Sequence, residues 1–148
     1  MELDSYSVIL DNLHETYKFF SKGPNGNIKK IIAYQKIGDD VYNLAFGDWD
    51  EYKKRINGMA RTNNSDRQKI LRTVASTVID FFKHHPKAIV FAKGSTSART
   101  RLYQIGIANN LREIIQSFEI EGFYKSHWER FQKGKNYQAF SLKTKQKL

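Results

Sequence analysis

Ala88 to Tyr103, AIVFAKGSTSARTRLY, is the stretch that most limits what this chain can become. Ala88, Ile89, Val90, Phe91 and Ala92 form a short continuous apolar run. Such a run suits a central strand covered on both faces. Lys93 and Gly94 end it, and Gly94 lets the chain turn sharply. Ser95, Thr96 and Ser97 follow, all residues that accept a backbone N–H at a helix start. Ala98, Leu102 and Ile105 then recur at helical spacing and predict one apolar helix face.

A helix N-terminus carries unpaired N–H groups and partial positive charge, so a strand–turn–helix corner of this kind attracts an anion. Arg99 and Arg101 add two permanent cations whose planar forks match phosphate or carboxylate. The expected anion- or phosphate-binding set is therefore Lys93, Gly94, Ser95, Thr96, Arg99, Arg101 and Tyr103. The same residues also suit simple helix capping, with the two arginines paired to Asp48, Asp50 or Glu51. The stretch has neither the Gly-Lys pattern of a P-loop nor a GxGxxG fingerprint, and it names no reaction.

Charge points the same way. The 148 residues carry a net charge of +10. The excess is uneven, with thirteen Lys and Arg against five Asp and Glu over residues 75–148. That bias fits a partner of nucleic acid or a nucleotide, or of an acidic protein. There is no cysteine, which excludes disulfides and thiolate-held zinc. No apolar run approaches the roughly 20 residues that cross a bilayer, and the acidic start MELDSYSVIL lacks a basic signal-peptide head. A single cytoplasmic domain over residues 1–148, without membrane contact, is expected. Its basic tail, about 144–148, is expected to be loose.

Along the chain, the pattern predicts a short N-terminal strand or lead-in, then strands at Tyr17–Phe20, Asn27–Ile37 and Val41–Phe46. Turns around Gly23-Pro24 and Gly38-Asp39-Asp40 make these three an antiparallel meander. Residues 47–64 hold acids and then bases and read as a loop or short helix. Ser65 and Gln68 form a capping box for a helix whose core stripe is Ile70, Leu71, Val74, Ala75, Val78, Ile79 and Phe82. Thr73 and Thr77 fall on its polar side, and Pro86 stops it. A second capping box, Asn110 with Glu113, opens an apolar face of Leu111, Ile114, Ile115 and Phe118. Glu119–Lys125 and Lys135–Lys143 read as a closing strand pair, with a packed loop between them. The predicted class is α+β, order β-β-β-α-β-α-β-β, a mainly antiparallel sheet with two principal helices.

Other chemistry is thin. Adjacent His84 and His85 do not share a helix face and suit the positive end of a helix C-terminus. Asp48, Asp50 and Glu51 read as solvated loop acids, with metal ligation as the alternative. No metal and no cofactor is expected. Tyr42, Tyr103, Tyr124 and Tyr137 read as core residues, with proton donation as the alternative. Aromatics among bases around Phe123-Tyr124-Lys125 and Trp128–Lys133 would serve base stacking or a packed C-terminal sheet.

The segments YKFFSKGPNGNIKK, VYNLAFGD, SDRQKILRTVASTVIDFF and KGSTSARTRLY resemble a family of small bacterial proteins classed as a domain of unknown function. The resemblance covers about residues 17–142. It implies signature positions at Gly94, Ser95, Thr96, Arg99, Thr100, Arg101, Leu102 and Tyr103. The order of elements is also similar to the GNAT acetyltransferase superfamily, which implies a related fold and acyl transfer. Where that superfamily has a Gly-rich coenzyme A loop, this chain has Arg61-Thr62-Asn63-Asn64-Ser65-Asp66. The expected function is polyanion binding at the 93–101 corner, in a toxin- or defence-type factor. A GNAT-like acyltransferase and a module docking an acidic protein are the alternatives.

Overall fold

The computed structural model describes residues 4–57 and 64–145. Strands β1 (Ile9–Leu10), β2 (Thr16–Gly23), β3 (Gly26–Gly38) and β4 (Val41–Asp50) form the antiparallel meander that the turns predict. The β2–β3 turn is tighter than the expected loop. Gly23 faces Gly26 directly across Pro24-Asn25, and Gly26 has a φ of +85°, a left-handed conformation that glycine adopts without steric cost. Helix α1 (Arg67–His84) then crosses the sheet and leads into β6 (Ile89–Ala92), α2 (Ser97–Asn109) and the short α3 (Leu111–Ser117). Strands β7 (Phe118–Tyr124), β8 (His127–Arg130) and β9 (Ala139–Thr144) close the chain. The class is α+β, with a mainly antiparallel sheet and two principal helices.

The sheet order is β1-β2-β3-β4-β6-β9-β7-β8, with β5 (Arg55–Asn57) paired to β4. The pairing of β4 with β6 is parallel, Val41 to Ile89 through Leu44 to Ala92. Strand β9 lies between β6 and β7, antiparallel to both. Two pieces expected as loops are strands: β5 folds back on β4, and β8 makes a hairpin with β7. β9 continues through Thr144, and the Lys145 N–H donates to the Ser117 carbonyl at 2.9 Å. The start of the expected loose tail is therefore part of the sheet, and residues 146–148 lie outside the described residues. Among the described residues no helix is long and apolar enough to cross a membrane.

The core fills one face of the sheet. Tyr17, Phe19, Ile32, Tyr34, Tyr42, Leu44, Val90, Ala92, Phe140 and Leu142 pack there against Val74, Phe81 and Phe82 of α1. On the other face β6 meets no helix in this cluster. Phe91 is half-buried there, with the Trp128 ring edge-on at 5.6 Å. The two-sided cover expected of β6 is thus complete on one side and reduced to an aromatic patch on the other.

Helix α1 corrects two expectations. Ser65 does not cap it: Ser65 has a φ of +59°, and Asp66 holds the N-cap position without a side-chain cap bond. The Asp66 carboxylate instead accepts from the hydroxyls of Tyr6 and Ser21. The buried surface is also rotated from the expected stripe. Thr73, Thr77 and Phe81 are buried, whereas Ile79 is 52% exposed. A threonine goes inside when its hydroxyl bonds back to the helix. Thr73 donates to the Lys69 carbonyl and Thr77 to the Val74 carbonyl. Thr77 also meets the Tyr34 hydroxyl at 2.9 Å. The second capping box is absent as well. The Asn110 amide donates to the Gly106 carbonyl at 2.8 Å and so closes the end of α2. Ile115 is 46% exposed, and Phe118 opens β7.

The Phe81 ring, fully buried, stacks on Tyr34 at 4.2 Å and meets Tyr42 edge-on at 5.0 Å. Phe81→Ala is expected to cost about 3–5 kcal/mol of unfolding free energy. Ile79→Ala is expected to stay within about 0.5 kcal/mol of the parent. Urea denaturation of both variants checks the assignment, and equal costs would contradict it.

Candidate functional site: a cationic cleft beside a short central strand

Strand β6 ends at Ala92, opposite Leu44, while β4 runs on to Asp50. Strand β5 takes the same edge of β4 only from Asp48 onward. Among the described residues, Ala45, Phe46 and Gly47 therefore have no strand partner on that edge. A notch is left in the sheet, and a cleft of about 530 Å³ opens through it. Its walls come from both faces of β4, with Leu44 and Phe46 on the helix side and Asn43, Ala45 and Trp49 on the other.

The Gly94 corner closes the cleft. The Gly94 N–H donates to the Thr100 hydroxyl at 3.0 Å, and that hydroxyl donates to the Thr96 carbonyl at 3.2 Å. The Thr96 hydroxyl caps α2 by accepting from the Arg99 N–H at 3.2 Å. The chain therefore wraps so tightly that a Cβ at position 94 would lie 2.4 Å from both the Arg99 Cβ and the Thr100 nitrogen. Glycine is needed here for close approach, since its φ lies outside the left-handed region.

Of the expected anion set, Lys93, Gly94, Ser95, Arg99 and Tyr103 line this cleft. Thr96 acts as the helix cap just behind it. Arg101 is exposed and is not among the lining residues. One turn geometry explains the split, because residues two apart on a helix point away from each other. The Arg99 guanidinium lies over the Phe46 ring, 5.8 Å from its centroid. Burial pushes the Tyr103 hydroxyl up to about 12, against the opposing pull of the Arg99 charge. Tyr103 thus stays protonated at neutral pH and is a hydrogen-bond donor rather than a base.

The helix α2 face differs from the expected one. Ala98 is exposed, and the buried residues are Thr100 and Ile107. Thr100 lies inside because the corner consumes its hydroxyl.

Arg55 of β5 and Trp49 of β4 are among the lining residues outside the expected set. Both lie in the segment whose charge run reads as a loop, so no periodic signal marked them. Among the described residues the lining contains three cations, Lys93, Arg55 and Arg99, and no carboxylate. The acids nearby in sequence have partners elsewhere. Lys30 and Asp48 form a buried ion pair across β3 and β4. Asp50 accepts from the Tyr52 and Lys53 N–H groups, and Glu51 pairs with Lys54 at 3.2 Å.

A second cavity, about 610 Å³, lies among α1, α2, α3 and the sheet. Its walls are mainly apolar and include Leu71, Val78, Ile107, Phe118 and Leu142. Leu44 and Tyr103 line both cavities, so the Tyr103 ring borders a cationic space and an apolar one.

A third grouping also escaped the sequence reading: His14, Asp80 and His84 come together at the far end of α1. His85 is separate, with its Nε2 2.9 Å from the Leu13 carbonyl.

Comparison with known proteins gives one match. The family model described as "Family of unknown function (DUF6934)" covers residues 2–145. No curated protein and no solved structure matches the chain. None of these comparisons links the chain to the acetyltransferase superfamily. The place expected for a coenzyme A loop begins at residues 61–63, which lie outside the described residues.

Gly94→Ala is expected to force the first turn of α2 outward and to cost about 1–3 kcal/mol, as overpacking does. Thermal denaturation measures the cost, and amide chemical shifts locate it. A variant as stable as the parent, with residues 95–100 unmoved, would contradict the close approach.

Proposed function

Because the chain belongs to this family of unknown function, we propose its role from the cleft itself: it binds a nucleotide unit, free or within a nucleic acid strand, by its phosphate. One observation carries the reading. Among the described residues, three cations converge on a space walled by Phe46, Trp49 and Tyr103, with no carboxylate in the lining. Arginine forks suit phosphate oxygens. An aromatic face suits a base, and such stacking tolerates any base. A volume of about 530 Å³ falls within the roughly 300–1,000 Å³ of small-ligand sites. The start of α2 adds partial positive charge beside the cleft. Tyr103, kept protonated, donates to a phosphate oxygen.

A second reading, acyl transfer, has one supporting observation: the apolar cavity shares Leu44 and Tyr103 with the cleft. A ligand with a phosphate-bearing part and an acyl part would use both. Calorimetry with coenzyme A separates the two readings. Heat with coenzyme A but none with ADP favours the acyl reading.

Binding of ADP and of a short single-stranded oligonucleotide is expected to quench tryptophan fluorescence through Trp49. The affinity for the oligonucleotide is expected to fall steeply as salt rises. Arg99→Ala is expected to weaken binding about tenfold or more, the worth of one charge-assisted hydrogen bond. Arg101→Ala is expected to change it much less. A flat salt response, or equal losses in the two variants, would remove the proposal.

A further inference from the structure

Two histidines far apart in sequence meet one acid at the last turn of α1. Asp80 and His84 stand one helical turn apart, the spacing that puts two side chains on one face. His14 comes from the tight turn between β1 and β2. Its Nδ1 lies 2.8 Å from Asp80 Oδ2, and the His84 Nδ1 lies 3.9 Å from Asp80 Oδ1. One ligand atom from each of the three residues lies within 4.8 Å of the others.

The surroundings hold this arrangement in place. Asp11 Oδ1 accepts from the Glu15 and Thr16 N–H groups at 2.8 and 3.0 Å, which fixes the turn. His14 sits in that turn with a φ of +55°, a left-handed conformation that histidine adopts more readily than most residues. His85 Nε2 at the Leu13 carbonyl anchors the turn to the end of α1. The Tyr17 hydroxyl donates to Asp80 Oδ2 at 2.6 Å, an outer bond of the kind that orients a ligating carboxylate. The His14 and His84 rings lie nearly parallel, 3.5 Å apart. The three side chains are each between 27% and 45% exposed, so an ion can reach them.

We propose that His14, Asp80 and His84 bind one divalent transition-metal ion, of which zinc is the reference, with two ring nitrogens and one carboxylate oxygen. Nitrogen and oxygen donors in this ratio suit zinc and its neighbours in the first transition row rather than calcium or magnesium. Three protein ligands leave a coordination position for water or a substrate atom. The site shares no residue with the cationic cleft, so neither depends on the other. Binding ties the β1–β2 turn to α1.

The test uses the full chain after chelator treatment. Calorimetry with zinc chloride and visible absorption with cobalt chloride are expected to give one ion per chain. His84→Gln, at an exposed helix end, is expected to weaken binding at least about tenfold, and Tyr17→Phe by about tenfold as an outer-shell partner. His127→Ala, which removes the exposed histidine beside Glu129, is expected to leave binding unchanged. Circular dichroism establishes that each variant folds. No saturable binding, or an unchanged affinity in folded His84→Gln, would overturn the proposal. So would a loss on His127→Ala equal to that on His84→Gln.

Discussion

The strand lengths either side of the parallel pair decide where the sheet opens into a cleft. Strand β6 spans Ile89–Ala92, while β4 spans Val41–Asp50. The two separate because β6 runs into Gly94, where the chain must turn into α2. That turn is held by the Gly94 N–H on the Thr100 hydroxyl. A longer β6 would pair with Ala45, Phe46 and Gly47 and fill the notch. Among the described residues, ending it early leaves Ala45, Phe46 and Gly47 without a strand partner on that edge, and the start of α2 comes to the same cleft. Ligands in open sheets collect beyond the carboxyl ends of parallel strands, and β4 and β6 supply the one such pair among the described residues.

Charge follows from that geometry. Arg99 reaches the cleft because it is the third residue of α2 and turns back over Phe46. Lys93 comes from the last step of the β6 direction. Arg55 arrives from β5, which folds onto the edge that β6 leaves vacant. Three separate elements therefore each contribute one cation. Asp48, which could have cancelled one of them, forms a buried ion pair with Lys30. Removing a partner from such a pair is strongly unfavourable, so Lys30 keeps that carboxylate in place beneath the sheet.

Much of the fold was legible in the sequence. Apolar stretches between turn signals marked β2 to β4, and Pro86 fixed the end of α1. The AIVFA run located β6, and KGSTSAR located the start of α2. What escaped had physical causes. Thr73 and Thr77 look polar in a list of residues, yet each bonds to its own helix and goes inside. Strands β5 and β8 are short and exist by pairing to longer neighbours, which leaves little periodicity to read. Ser65 reads as the cap of α1, but Asp66 holds the N-cap position, and Tyr6, 60 positions earlier, claims its carboxylate. At the corner, composition identified the residue types but not their directions. Arg99 and Arg101 look equivalent in sequence, and helical geometry sends one inward and the other out. The meeting of His14 with Asp80 and His84 depends on register across the whole sheet, which no local pattern encodes.

The notch, the corner and the cations make one claim about place: ligand phosphate sits between β4 and the start of α2. Amide and side-chain chemical-shift mapping during titration with ADP tests that claim most directly. The expected shifts centre on residues 93–100, on Ala45–Gly47, on the Trp49 indole and on Arg55. Shifts confined to other basic surfaces, such as residues 125–135, with those positions silent, would contradict it.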